Sequence, residues 1–126
     1  MDSFVIITNN PHVVKEYPDF SQFFDTNVAG VIRQVRDMVH MGAKILSHPL
    51  CGSIKPWVTP YKSVVISNSA GPVEYNSLRY VEGAAGIMAG RKIARCQFTE
   101  EMLEDFGVID LDIIRSAIEK YKLYMG

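Results

Sequence analysis

The 126-residue sequence lacks the features that mark several specialised classes of protein. Its two cysteines, Cys51 and Cys96, are too few for a disulfide framework, so we expect free thiols in a reducing cytoplasm. The sequence also has no excess of charge of either sign, since 13 basic and 14 acidic residues give a net charge of -1. This balance argues against a nucleic-acid-binding protein that neutralises many phosphates.

Long hydrophobic runs are absent as well. No apolar run approaches the roughly 20 residues that span a bilayer, so we expect no membrane segment. The first ten residues carry the acidic Asp2 and no basic stretch, so we expect no signal peptide. The content of 48% hydrophobic and 21% charged residues is typical of a globular domain. We therefore expect a single domain over residues 1–126 that needs neither a disulfide nor a metal to fold.

Apolar runs predict the strands of an α/β fold. Two continuous runs, at residues 3–8 and 63–67, have the pattern of strands buried on both faces. Two weaker candidates are residues 20–24 and 44–46. Since these segments alternate with helical patterns, we expect a small sandwich. Its sheet is predicted to have three or four mostly parallel strands flanked by helices, a Rossmann-like arrangement.

Apolar residues at spacings of three and four predict the helices. The clearest is 26–41, with Asp25 or Thr26 as its cap and Gly42 at its end. A Gly-rich helix is expected over 76–96. A short helix follows over 99–106 and is ended by Gly107, and Asp110 or Asp112 is expected to begin the last one.

Two polar loops follow predicted strands. These are TNNPH, residues 8–12, and SHPLCGSIKP, residues 47–56. Ligands of open α/β sheets collect beyond the carboxyl ends of strands, so the loops form one pocket if their strands are parallel neighbours. The predicted ligand-binding residues are Thr8, Asn9, Asn10, His48, Gly52, Ser53, Lys55, Tyr61 and Lys62.

The chemistry of the second loop favours a small anion. Gly52 and Ser53 offer backbone N–H groups and a hydroxyl, and Lys55 offers a positive charge, which suits a phosphate or a carboxylate. The spacing is not that of a nucleotide-binding P-loop. The His and Cys residues lack the paired spacing of a zinc site, so we expect no metal and no cofactor.

Two other functions fit the same sequence. One is a small hydrolase or transferase that uses His48 with Ser53, Ser47 or Cys51 as nucleophile. The other is a protein-interaction module that forms a homodimer through the small residues of helix segment 83–90. The residues alone leave these alternatives open, and whether the protein is an enzyme stays open with them, although the loop favours binding over catalysis.

Three segments in the same order resemble the GrdX-type protein family. They are ITNNP near the start, VIRQVRDMVHMGAKIL running into SHPLCGSIKP, and TPYKSVVIS. The similarity is close over residues 5–68 and looser beyond residue 74. The matching motif positions are Thr8, Asn9, Asn10, Pro11, His48, Pro49, Leu50, Gly52, Ser53, Lys55, Pro56, Pro60, Tyr61 and Lys62.

The resemblance implies a metabolic setting rather than a reaction. GrdX-type proteins are encoded alongside the glycine, sarcosine and betaine reductases of amino-acid-fermenting anaerobes. A similar protein is expected to be an accessory protein of that metabolism, with reductase components as partners. No catalytic residues come with the resemblance. Cys51 falls at a variable position of the loop motif, which weakens its assignment as a nucleophile.

Overall fold

The computed structural model of the protein describes residues 4–47, 59–89 and 98–125. Helices and strands alternate along these residues, which confirms the predicted α/β class. Within the described ranges, none of the helices combines the length and the apolar character needed to cross a bilayer. The elements are β1 (Phe4–Thr8), α1 (Pro11–Glu16), β2 (Ser21–Phe23), α2 (Val28–His40), β3 (Ser63–Ser67), α3 (Tyr75–Met88) and α4 (Glu100–Met125).

The described strands form a three-stranded mixed sheet in the order β2-β1-β3. β1 pairs in parallel with β2, with Ile6 opposite Ser21, and antiparallel with β3, with Ile6 opposite Val65. The prediction of a mostly parallel sheet is therefore wrong, and a Rossmann-like arrangement is not confirmed. The chain changes direction between residue 47 and β3, because residues 44–47 run along the outer edge of β3 in the opposite direction.

The predicted strand at 44–46 is reduced to a single antiparallel bridge between Ile45 and Ile66. This segment runs in the same direction as β1, but β3 lies between the two. Residues 8–12 and 47–56 therefore do not follow adjacent parallel strands. Ser47 nevertheless lies beside Val65, since its Oγ accepts the Val65 N–H at 2.8 Å.

Both faces of the sheet are covered, as the continuous apolar runs predict. Ile7, Val64 and Ile66 pack against α2 and α3 on one face. Ile6 and Val65 pack on the other face, where α1 and α4 contribute buried side chains. Because neighbouring residues of a strand point to opposite faces, one strand supplies both core clusters.

The helix ends differ in part from expectation. Asn27, rather than Asp25 or Thr26, caps α2, its Oδ1 accepting the N–H of Gly30 at 2.9 Å. Gly42 follows the helix with φ of +107°, as its predicted role at the helix end requires. In α3, the described helix ends at Met88, and residues 90–96 of the predicted helix lie outside the described residues.

The last two predicted helices are one continuous helix, α4. Gly107 does not end a helix, and neither Asp110 nor Asp112 begins one. Gly107 is instead needed where α4 crosses α1, because a Cβ at this position would overlap the imidazole of His12. A glycine inside a helix costs about 1 kcal/mol relative to alanine, and here the close approach of two helices explains its presence.

Candidate functional site

Buried polar side chains gather at one end of the sheet, where β1 ends and β3 begins. Of the eight polar or charged side chains that are buried in the described residues, six lie there. A buried polar group is costly unless it is hydrogen-bonded, so this concentration needs a specific set of contacts. We call it the strand-end cluster, and its members are Thr8, Asn9, Asn10, Lys62, Ser63 and Asp110.

Asn9 ties the end of β1 to two neighbouring segments. Its Nδ2 donates to the carbonyl oxygens of Thr26 at 2.8 Å and of Pro60 at 2.9 Å. Its Oδ1 accepts the backbone N–H of Lys62 at 2.9 Å. Asn9 therefore fixes the backbone from which the Lys62 side chain extends, and both of its amide protons are used within the protein.

Asn10 begins α1 and also reaches α4. Its Oδ1 accepts the N–H of His12 at 3.0 Å as an N-cap, and Pro11 follows at the start of the helix. Its Nδ2 donates to the carbonyl oxygen of Gly107 at 2.9 Å and to Oδ2 of Asp110 at 3.0 Å. One side chain thus joins the end of β1 to two helices.

A chain of hydroxyl groups leads from β1 to the Asp110 carboxylate. Ser63 Oγ donates to Asp110 Oδ2 at 2.7 Å, and Thr8 Oγ1 lies 2.7 Å from Ser63 Oγ. Because the Ser63 proton is directed at the carboxylate, Thr8 donates to Ser63. Thr8 Oγ1 in turn accepts the N–H of Asn10 at 2.9 Å. The charge on Asp110 therefore sets the direction of both hydroxyl protons.

Asp110 carries a carboxylate in a buried position, with 8% of the residue exposed. Burial raises the pKa of the Asp110 carboxyl above its ordinary range, because the charged form loses its hydration. Hydrogen bonds from Ser63 and Asn10, and the positive charge of Lys62, act in the opposite direction. Lys62 is itself only 3% exposed, so the cluster contains a buried cation and a buried anion.

His12 lies beside the cluster, at the crossing of α1 and α4. Its imidazole contacts the backbone at Gly107, and its Nε2 lies 3.0 Å from a carboxylate oxygen of Glu104. The His12 side chain is partly exposed and that of Glu104 is exposed, so this contact contributes little to stability. His12 therefore serves the approach of the two helices rather than the interior of the cluster.

The structure describes five of the predicted ligand-binding residues. Thr8, Asn9, Asn10 and Lys62 belong to the strand-end cluster. Tyr61 is half-buried one residue before Lys62, and its carbonyl oxygen accepts a hydrogen bond from Thr59 at 3.3 Å. The other four predicted residues lie outside the described residues; they are His48, Gly52, Ser53 and Lys55. Cys51, a nucleophile of the alternative hydrolase, also lies outside them.

Sequence reasoning missed Ser63 and Asp110 as site residues. The signal for Asp110 is its spacing, since Asp110, Ile114 and Ile118 follow one another at intervals of four on the buried stripe of α4. An acidic residue on an apolar stripe marks a buried carboxylate that needs partners. Ser63 gave no comparable signal, because a serine at the start of a strand is common.

Metal binding finds no support in the part of the chain that the structure describes. There, no three His, Cys, Asp or Glu side chains are arranged to hold a metal ion. Asp110 is the one carboxylate of the strand-end cluster, and its Oδ2 already accepts two hydrogen bonds. What the cluster offers chemically is a carboxylate with two hydroxyl groups linked to it in series, and a buried lysine whose charge acts on that carboxylate.

Comparison with known proteins assigns the chain to a family. The model of the family described as GrdX-like protein matches residues 5–119, which is most of the chain and includes every member of the strand-end cluster. The searches of curated proteins and of solved structures found no match.

Proposed function

This chain belongs to the GrdX-like protein family, and we propose that it is a cytoplasmic accessory protein of glycine, sarcosine or betaine reductase metabolism. In this proposal it binds a small anionic or amino-acid-like ligand at the strand-end cluster. The metabolic setting is suggested by the family, and the ligand class by the chemistry of the cluster. Reductase components are the proposed protein partners.

The observation that carries the proposal is the burial of Lys62 beside Asp110. Apolar residues often fill a protein interior at least as stably as a buried cation and anion do. We therefore infer that Lys62 and Asp110 serve ligand binding rather than stability. An ammonium group suits a carboxylate or phosphate, and a carboxylate suits an amine. Together they complement the two ends of an amino acid.

Binding is favoured over catalysis by the way in which the groups are held. Ser63 is 5% exposed, and its hydroxyl proton is directed at Asp110. Ser47, one of the proposed nucleophiles, uses its Oγ as an acceptor for the Val65 N–H. Since no buried side-chain nitrogen or oxygen of the described residues lacks a partner, a ligand binds by exchanging with internal partners. We therefore expect modest affinity.

Isothermal titration calorimetry tests the proposal with phosphate, acetyl phosphate, glycine, sarcosine and betaine as ligands. We expect at least one of them to bind at millimolar concentration or below, and Lys62→Met to abolish the binding heat. Lys44→Met is the matched control, because Lys44 is exposed near the opposite end of β3. Circular dichroism establishes that both variants are folded. The absence of heat with all five ligands, or equal binding by folded Lys62→Met, refutes the proposal.

A second candidate function is self-association through α3. Its Gly83 and Gly86 have open space beside them, because a Cβ placed at either position meets no atom within 4 Å apart from those of the adjacent helix backbone and chain neighbours. On the same helix Tyr80 is 48% exposed and Ile87 is 44% exposed. We propose that this face pairs with the same face of a second copy, since small residues allow two helices to approach closely.

Sedimentation equilibrium over a range of concentrations tests the second candidate. A dimer that dissociates in Ile87→Lys supports it. Leu123→Lys is the control, because Leu123 is 80% exposed on α4 and is not part of the α3 face. A monomer at every concentration, or equal weakening by both variants, contradicts it.

A further inference from the structure

The two outer edges of the sheet differ in whether other described residues of the chain hydrogen-bond to them. The outer edge of β3 is covered by residues 44–47. Ser47 Oγ accepts the Val65 N–H at 2.8 Å, Leu46 donates its N–H to the Val65 carbonyl at 2.8 Å, and Ser67 donates to the Lys44 carbonyl at 2.8 Å. Such coverage removes the free hydrogen-bonding groups that an edge strand presents to other chains.

β2 lies at the other edge and has no such cover among the described residues. The residues on either side of it hydrogen-bond to β1: the Ile6 N–H donates to the Phe20 carbonyl at 2.7 Å, and the Phe24 N–H donates to the Thr8 carbonyl at 2.9 Å. Peptide groups alternate in direction along a strand, so those of Ser21 and Phe23 face away from β1. No described residue hydrogen-bonds to these outward peptide groups.

This open edge is held in a fixed shape. The Ser21 side chain donates to the Tyr17 carbonyl at 2.8 Å, and Phe20 stacks on Phe4 with ring centroids 4.9 Å apart. The Phe23 side chain is 47% exposed and adds an apolar surface beside the free peptide groups. The edge therefore offers both main-chain hydrogen bonds and a side-chain contact to an incoming strand.

Charge at the two ends of β2 decides which strand fits. Asp19 precedes the strand, Asp25 follows it, and both are exposed. A second copy paired antiparallel through β2 would place Asp19 of one copy near Asp25 of the other, and like charges repel. An extended segment with basic residues meets opposite charge at both ends.

We propose that the open edge of β2 is a docking surface for an extended, basic segment of a partner protein, which adds a fourth strand to the sheet. This inference is independent of ligand binding at the strand-end cluster. The main-chain hydrogen bonds of Ser21 and Phe23 supply the pairing, and Asp19 and Asp25 select for positive charge.

Nuclear magnetic resonance titration of the full chain tests the inference. The probe is the peptide acetyl-Lys-Thr-Val-Thr-Val-Lys-amide, and its counterpart carries glutamate in place of both lysines. We expect the backbone amide signals of Ser21 and Phe23 to shift on addition of the basic peptide. The affinity read from these shifts should be about tenfold lower for the acidic peptide. The double variant Asp19→Lys, Asp25→Lys should reverse this preference.

The matched control is Asp37→Lys with Asp105→Lys, which changes charge equally at exposed positions on α2 and α4. It should keep the preference for the basic peptide. The inference is overturned if neither amide signal responds at millimolar peptide, or if the two peptides act equally. It is also overturned if the signals move with protein concentration alone, which would show pairing with a second copy.

Discussion

Replacing Gly83 and Gly86 of α3 by alanine should make the isolated protein more stable. Each glycine sits in a helix interior, where it costs about 0.5–1 kcal/mol relative to alanine. Apart from the adjacent helix backbone and chain neighbours, a Cβ at either position meets no atom within 4 Å, so no clash offsets the gain. The double variant should therefore gain about 1–2 kcal/mol in the free energy of unfolding. For a chain of this length, that corresponds to a rise in Tm of about 4–8 °C.

Urea unfolding followed by circular dichroism at micromolar protein measures the gain. The matched control is Gly42→Ala, where φ is +107° and a Cβ would overlap the backbone of Gly71. That variant should lose more than about 1 kcal/mol, because the strained backbone and the overlap both oppose it. Should the Gly83 and Gly86 double variant prove no more stable than the natural sequence, the open space at these glycines would be refuted. A gain that disappears at high protein concentration would instead indicate a dimer through α3.

Three further perturbations act on the contacts of the strand-end cluster. Gly107→Ala should cost about 1–3 kcal/mol in urea unfolding, because its Cβ would overlap His12; an unchanged midpoint contradicts this. Asn10→Ala should cost about 2–4 kcal/mol by the same assay, since it removes a helix cap and two hydrogen bonds, and a loss below 1 kcal/mol contradicts it. For Asp110, whose folded-state pKa is raised by burial, the free energy of unfolding should fall as pH rises from about 3.9 toward the folded pKa. Asp110→Asn should remove this fall, and an identical pH profile in both proteins excludes Asp110 as its source.

The elements with strong hydrophobic patterns could be predicted from the sequence. The apolar runs of β1 and β3 and the periodicity of α2 require little knowledge of the rest of the molecule. Strand direction could not be predicted, because a strand buried on both faces has the same pattern whichever way it runs. β3 runs antiparallel to β1 and to residues 44–47. The apolar pattern at residues 44–46 is only three residues long and forms a single bridge, so it gives little indication of this direction.

The candidate site could be predicted in part. Residues 8–10 are predicted from the polar loop after the first strand and Lys62 from the segment before β3, and these residues lie together. The helix beginning at Pro11 has only six residues, too short to show periodicity, although Asn followed by Pro is a typical helix start. Glycine commonly follows the end of a helix, so Gly107 predicts a helix end, whereas α4 continues through it and the approach of His12 explains why a glycine stands there.

The contacts of Asn10 have a consequence for how the chain acquires its structure during synthesis. Asn10 lies 97 residues before Gly107 and 100 before Asp110, so the ribosome must release most of the chain before these bonds form. Until α4 emerges, Ile6 and Val65 have no helix α4 to cover them. Such long-range closure slows folding and leaves apolar surface exposed for longer. The nascent chain is thus most prone to aggregation just before α4 docks on the sheet.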